Sequence, residues 1–98
     1  MIIYNNLNSQ NITLVGLKDD TGAPVNTATI TGNITRCNIP LVGGALSFSP
    51  VANVAGSYSA ILNGFNANIG KAWTEISINN AGITLNDKVF TDIQVRSL

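Results

Sequence analysis

Thr27-Ala28-Thr29-Ile30-Thr31-Gly32-Asn33-Ile34-Thr35 alternates polar residues with small or apolar ones over nine positions. Strand side chains repeat every second residue, so Ala28, Ile30, Gly32 and Ile34 share one face and the threonines with Asn33 share the other. That is the pattern of a strand with one buried and one wet face. The closing segment repeats it, with Val89, Thr91, Ile93 and Val95 against Phe90, Asp92, Gln94 and Arg96. Shorter runs of the same kind lie at Ile12 to Leu17, Ala45 to Ser49, Ser57 to Leu62 and Ala72 to Ile78. Apolar residues at helical spacing over three turns are missing, and the abundant Asn, Gly and Thr are poor helix formers.

Turn signals separate these runs. Asp19-Asp20-Thr21-Gly22 before Ala23-Pro24 reads as a turn, with aspartate oxygens facing backbone N–H groups and a glycine able to take positive φ. Gly43-Gly44, Ser49-Pro50, Gly56, Asn63-Gly64, Asn66 to Gly70 and Asn79 to Gly82 supply the other breaks. Six strands follow directly, with a seventh at Ile2 to Tyr4 or at Ile83 to Leu85. About seven short strands in this length predict an all-β fold, an antiparallel immunoglobulin-like β-sandwich. Residues 1–11 form an N-terminal arm or first strand, and residues 12–98 a single sandwich domain. The expected core is Leu14, Leu17, Val25, Ala28, Ile30, Ile34, Leu46, Phe48, Tyr58, Ala60, Leu62, Val89, Ile93 and Val95, with either Trp73 or its neighbours Ile76 and Ile78. Small residues such as Ala28 and Gly32 make this core thin, which favours further burial in an assembly.

Composition narrows the function classes. The 98 residues hold five basic and five acidic side chains, no histidine and one cysteine, with 10% charged residues. Soluble domains usually carry about a quarter charged residues, so neutral polar groups or another protein must cover this surface. The fourteen asparagines are the natural cover. Lack of histidine removes imidazole bases, Ser-His-Asp triads and His-containing zinc sites. Cys37 alone closes no intrachain disulfide and builds no cysteine cluster. Zero net charge argues against nucleic acid as a partner. The amino terminus has no basic n-region with an apolar run, and no apolar stretch of about 18 residues suggests a membrane span, so the chain is expected to be a whole cytoplasm-made protein that contacts no membrane. Little self-repulsion opposes association, which predicts a homo-oligomer within an assembly.

Few residues suggest chemistry. Asp19 and Asp20 are the one adjacent carboxylate pair, and turn formation explains them better than calcium or acid–base work, which would need Asp87 or Asp92 to converge with them. Arg36 beside Cys37 could activate the thiol, although a strand-end cysteine usually acts as a small apolar residue. No cofactor is implied and no enzyme is expected. Trp73 is either a sandwich core residue or an exposed platform for a sugar or protein; inward Ile76 and Ile78 favour exposure or an interface. Strict alternation puts Phe90 on the wet face, where it suggests a contact. Met1-Ile2-Ile3-Tyr4, followed by a polar run broken only by Leu7, is either a docking arm or the domain's own first strand. The candidate protein-contact residues are therefore Ile2, Ile3, Tyr4, Leu7, Trp73 and Phe90.

Gly16-Leu17-Lys18-Asp19-Asp20-Thr21-Gly22, Val25-Asn26-Thr27-Ala28-Thr29-Ile30 and Gly56-Ser57-Tyr58-Ser59-Ala60-Ile61-Leu62, with a last strand ending near Arg96, resemble small proteins encoded among the head and tail genes of tailed bacteriophages. The resemblance spans most of Ile12 to Arg96 in short elements; Cys37-Asn38-Ile39-Pro40 departs from it, where such proteins often carry an aspartate and a glycine. It implies a virion structural component assembled in the host cytoplasm. The first expectation is a capsid decoration or cement protein binding the major capsid protein; the second is a head-to-tail connector or tail component. Asp-Asp-Thr-Gly-Ala-Pro-Val with the later Gly-Ser-Tyr also resembles prealbumin-like and collagen-adhesin B-type modules. That likeness implies an isopeptide bond, with Lys18, Glu75 and Asn86 as conceivable counterparts.

Overall fold

A computed structural model describes residues 1–5 and 9–95. Among them the chain is all-β, with seven strands and no helix: β1 (Ile2–Asn5), β2 (Gln10–Leu14), β3 (Thr29–Arg36), β4 (Ile39–Pro50), β5 (Tyr58–Leu62), β6 (Gly70–Asn80) and β7 (Ile83–Val95). They form one curled sheet, a half-barrel, in the order β1-β7-β6-β3-β4-β5-β2. β1 runs parallel to β7 and every other pair is antiparallel, so the sheet is mixed where an antiparallel one was expected. Both proposed positions of the seventh strand are occupied, Ile2 to Tyr4 by β1 and Ile83 to Leu85 by the start of β7.

Three strands exceed the short lengths expected: β4 with 12 residues, β6 with 11 and β7 with 13. β4 starts at Ile39 because Cys37 and Asn38 take φ of 53° and 62° and close a tight hairpin directly after β3. Two successive positive φ values match the right-handed twist of the flanking strands. Cys37 is thus an exposed turn residue rather than a small apolar one at a strand end. Pro50 fits inside β4 because it opposes Tyr58 between two bonding positions, where no N–H is required of it. Ala81 and Gly82 close the β6–β7 hairpin with the same positive-φ pair.

The curl gathers one core from both ends of the sheet. Val25, Ala28, Ile30, Ile34, Leu46, Phe48, Tyr58, Ala60, Leu62, Ile76, Ile78 and Ile93 are buried as expected, joined by Ile3, Ile12, Phe65 and Ala72. Leu14, Leu17 and Val89 are partly buried against it. Val95 is exposed instead, because β6 begins at Gly70 opposite Ile93 and nothing on β6 extends far enough to cover it. Inside, Thr74 and Thr91 are fully buried and satisfy each other through a 2.7 Å hydroxyl contact, while Thr91 also donates to the Val89 carbonyl.

The long connection between β2 and β3 is fastened at single atoms. The buried Tyr58 hydroxyl donates to the Val25 carbonyl at 2.7 Å and accepts from the Ala28 N–H at 3.1 Å. Gly56 donates to the Asn26 side-chain oxygen, and its carbonyl accepts from Leu17 N–H. A Cβ on Gly56 would lie 2.7 Å from the Leu17 carbonyl oxygen, and φ is +70°, so only glycine fits.

Candidate protein-contact surface

Sheet register places the sequence-derived candidates. On the outer face β6 and β7 present directly opposed residues in successive rungs: Lys71 with Asp92, Trp73 with Phe90, Glu75 with Lys88, Ser77 with Asn86, and Asn79 with Thr84. Each rung is chemically matched, as cross-strand neighbours in sheets tend to be. Trp73 and Phe90 meet edge to face with ring centroids 5.8 Å apart and planes at 88°. Lys88 Nζ lies 3.3 Å from Glu75 Oε1, and Asn79 donates to the Thr84 hydroxyl.

β1 extends this face. Ile2 opposes Asp92 and therefore stands diagonally beside Phe90. Ile2, Trp73 and Phe90 are 51%, 43% and 47% exposed, so three adjacent strands together present one apolar patch. Tyr4, on the same side, is half-buried. Ile3 corrects the reading of the arm: it points inward and is fully buried in the chain's own core, so it offers no contact surface. β1 is the sheet's own strand, held by Met1 N donating to the Phe90 carbonyl and Asp92 N to the Met1 carbonyl. Leu7 lies outside the described residues.

Amide side chains hold the seam where the curled sheet nearly meets itself. Gln10 donates from Nε2 to the Tyr4 carbonyl and accepts the Tyr4 N–H on Oε1. The buried Asn5 does the same to Ala67, donating to its carbonyl at 2.6 Å and accepting its N–H at 3.0 Å. A carboxamide has the donor and acceptor of a peptide group, so each side chain stands in for one residue of a strand. The role of these amides as surface cover, inferred from composition, is therefore incomplete.

The remaining candidates are not gathered into one site. Asp19 Oδ1 accepts from Thr21 N, Thr21 Oγ1 and Ala23 N, as a turn aspartate does. Its carboxyl is held below the usual value chiefly by the Thr21 hydroxyl and then by the backbone donors of Ala23 and Thr21. Asp87 and Asp92 belong to opposite faces of β7, and no trio of His, Cys, Asp or Glu suited to a metal occurs among the described residues. Arg36 donates to the carbonyls of Lys71 and Asn68, fastening the β3–β4 hairpin rather than serving Cys37. Lys18 lies in the β2–β3 connection, bridging Pro24, whereas Glu75 pairs with Lys88 and Asn86 opposes Ser77 on the outer face. The three isopeptide counterparts therefore have no shared dry site.

Several hollows mark the surface, two of them beside the β6–β7 hairpin. A shallow polar trough of about 540 Å³ continues from the aromatic rung past Glu75 and Lys88, with Thr31, Asn33, Ser77 and Asn86 on its sides. A second, of about 470 Å³, opens where Leu17, Val25, Ile78, Ile83 and Leu85 meet under the Asp19 turn. Sequence alternation could not signal it, because Ile83 and Leu85 have core parity yet lie beyond what covers the core. Compared with known proteins, the chain matches no family model, no curated protein and no solved structure.

Proposed function

We propose that the chain is a non-enzymatic structural component of a tailed-phage virion, a capsid decoration or cement protein that binds the major capsid protein. The observation that carries the contact role is the outer patch of Ile2, Phe90 and Trp73 on β1, β7 and β6. Clustered apolar side chains with two aromatics suit a protein partner better than scattered exposed residues would. The virion assignment itself draws on the resemblance carried by Gly16 to Gly22, Val25 to Ile30 and Gly56 to Leu62. A head-to-tail connector or tail component would use the same patch in a ring. In this reading the curl serves as an immunoglobulin-like sandwich, with β4 passing from a larger arc to a smaller one around the shared core.

Quantitative protein analysis of purified particles tests the proposal. A decoration protein is expected in hundreds of copies and a connector in about a dozen. The Phe90→Ser chain should bind particles more weakly while its own unfolding shifts by no more than about 1 kcal/mol. A chain missing from particles sinks the virion reading. An intact mass about 17 Da below that of the sequence, the ammonia lost in an isopeptide, would move the weight to the adhesin-like alternative.

A further inference from the structure

The two edges of the sheet differ in how they meet an incoming strand. Along β7, the stretch from Ile83 to Val89 lies beyond β1, and it carries Asp87 and Lys88. Asp87 has inward parity and its carboxylate already accepts the Lys88 N–H at 2.8 Å, while Lys88 holds its charge on the outer face. Inward charges and edge lysines are the means by which sheets keep an edge single. The opposite edge, Ser9-Gln10-Asn11-Ile12-Thr13-Leu14-Val15, has no charge, no proline and no bulge.

Backbone direction at that edge follows from the neighbouring pairs. Ser57 accepts from Val51 N, and Ser59 opposes Ser49, so the odd-numbered groups of β5 face β4. The even-numbered groups of β5 then bond to their opposites Gln10, Ile12 and Leu14. The N–H and C=O groups of Asn11 and Thr13 consequently point away from the sheet. Among the described residues β5 is the only strand that pairs with β2 through its backbone; β1 reaches β2 through the Gln10 side chain. Val15 and Ile61, exposed by 72% and 61%, add apolar surface beside the edge.

We propose that β2 is a self-association edge, to which a second copy of this chain adds its own β2 in antiparallel sense. Using the whole of Ser9 to Val15 sets Asn11 opposite Thr13 of the partner subunit and Ile12 opposite Ile12 of the partner subunit on a two-fold axis. An edge without charge repels its own copy at no register. Self-pairing of β7 about Asp87 or Lys88 would instead oppose like charges. The inference deepens the assembly reading by naming a self-contact, and its test needs no capsid.

In a Cys37→Ser background, Asn11→Cys and Thr13→Cys chains are oxidised separately and mixed. The mixture should form disulfide-linked dimers, because directly opposed bonded residues lie about 5.5 Å apart at Cα, whereas each chain alone exceeds the reach of about 7 Å. Equal cross-linking in all three samples, or none in the mixture, overturns the proposed pairing. Sedimentation provides the second measurement: Thr13→Lys should shift the monomer–dimer equilibrium roughly tenfold or more toward monomer at unchanged melting temperature, and Asn86→Lys should not. A wild-type chain that stays monomeric at every concentration also overturns it. Full particle occupancy by that monomeric chain would leave the virion reading standing.

Discussion

The β6–β7 hairpin and the seam around β1 are built on opposite principles. In the hairpin, backbone pairing runs without a break from Gly70 opposite Ile93 to Asn80 opposite Ile83, and the outer side chains only decorate it. At the seam, Asn5 and Gln10 supply from their side chains the hydrogen bonds that a missing strand would have supplied. The β2–β3 connection belongs with the seam, since Tyr58 and Asn26 fasten it through side-chain atoms. Backbone bonds survive almost any substitution; side-chain bonds are lost with one. Single changes should therefore cost much more at the seam than on the hairpin, although the hairpin carries the more conspicuous ion pair and aromatic pair.

The sharpest way to break this contrast is Tyr58→Phe, which removes one hydroxyl and strands the Val25 carbonyl and Ala28 N–H in the core. The expected loss is about 2–4 kcal/mol, read by denaturant unfolding. Asn5→Ala should cost about 1–2 kcal/mol, because the Ala67 peptide loses both partners in a half-buried place. On the hairpin, Glu75→Gln should change stability by no more than about 0.5 kcal/mol, since both ends of its ion pair are well exposed. A larger loss there than at Asn5 would invert the comparison. The smallest effect is a pH dependence at Asp19. Its folded carboxyl titrates below the unfolded one, so its contribution is present above the unfolded value and disappears as pH falls through the lowered folded value. Asp19→Asn should flatten that acid limb, and an unchanged limb would remove Asp19 as its source.

Legibility in the sequence follows the same division. Strands whose alternation is local, such as Thr27 to Thr35 and Val89 to Val95, could be read directly, and parity alone placed Phe90 outside and Ile76 and Ile78 inside. The parallel docking of β1 could not be read, because its partner lies about ninety positions away and four residues carry no clear period. Phe65 is buried from a stretch without a strand, where alternation has no meaning. Gly43-Gly44 and Ser49-Pro50 resembled breaks but lie within β4, whose irregular register between Asn33 and Thr35 accommodates the glycine pair. Within the contact surface, Ile2, Trp73 and Phe90 were legible one by one. Their adjacency was not, since it depends on the strand order. The amide stitches were hidden by abundance: nothing local separates Asn5 from thirteen other asparagines.

The pairing of β1 with β7 also sets an order of events during synthesis. Ile2 and Ile3 are made about eighty residues ahead of the strand that receives them, Ile83–Val95. β1 must wait, apolar and unpaired, until β7 has been made, and such distant pairing is intrinsically slow. Of the seven strands, β1 precedes the others in the chain yet docks among the last.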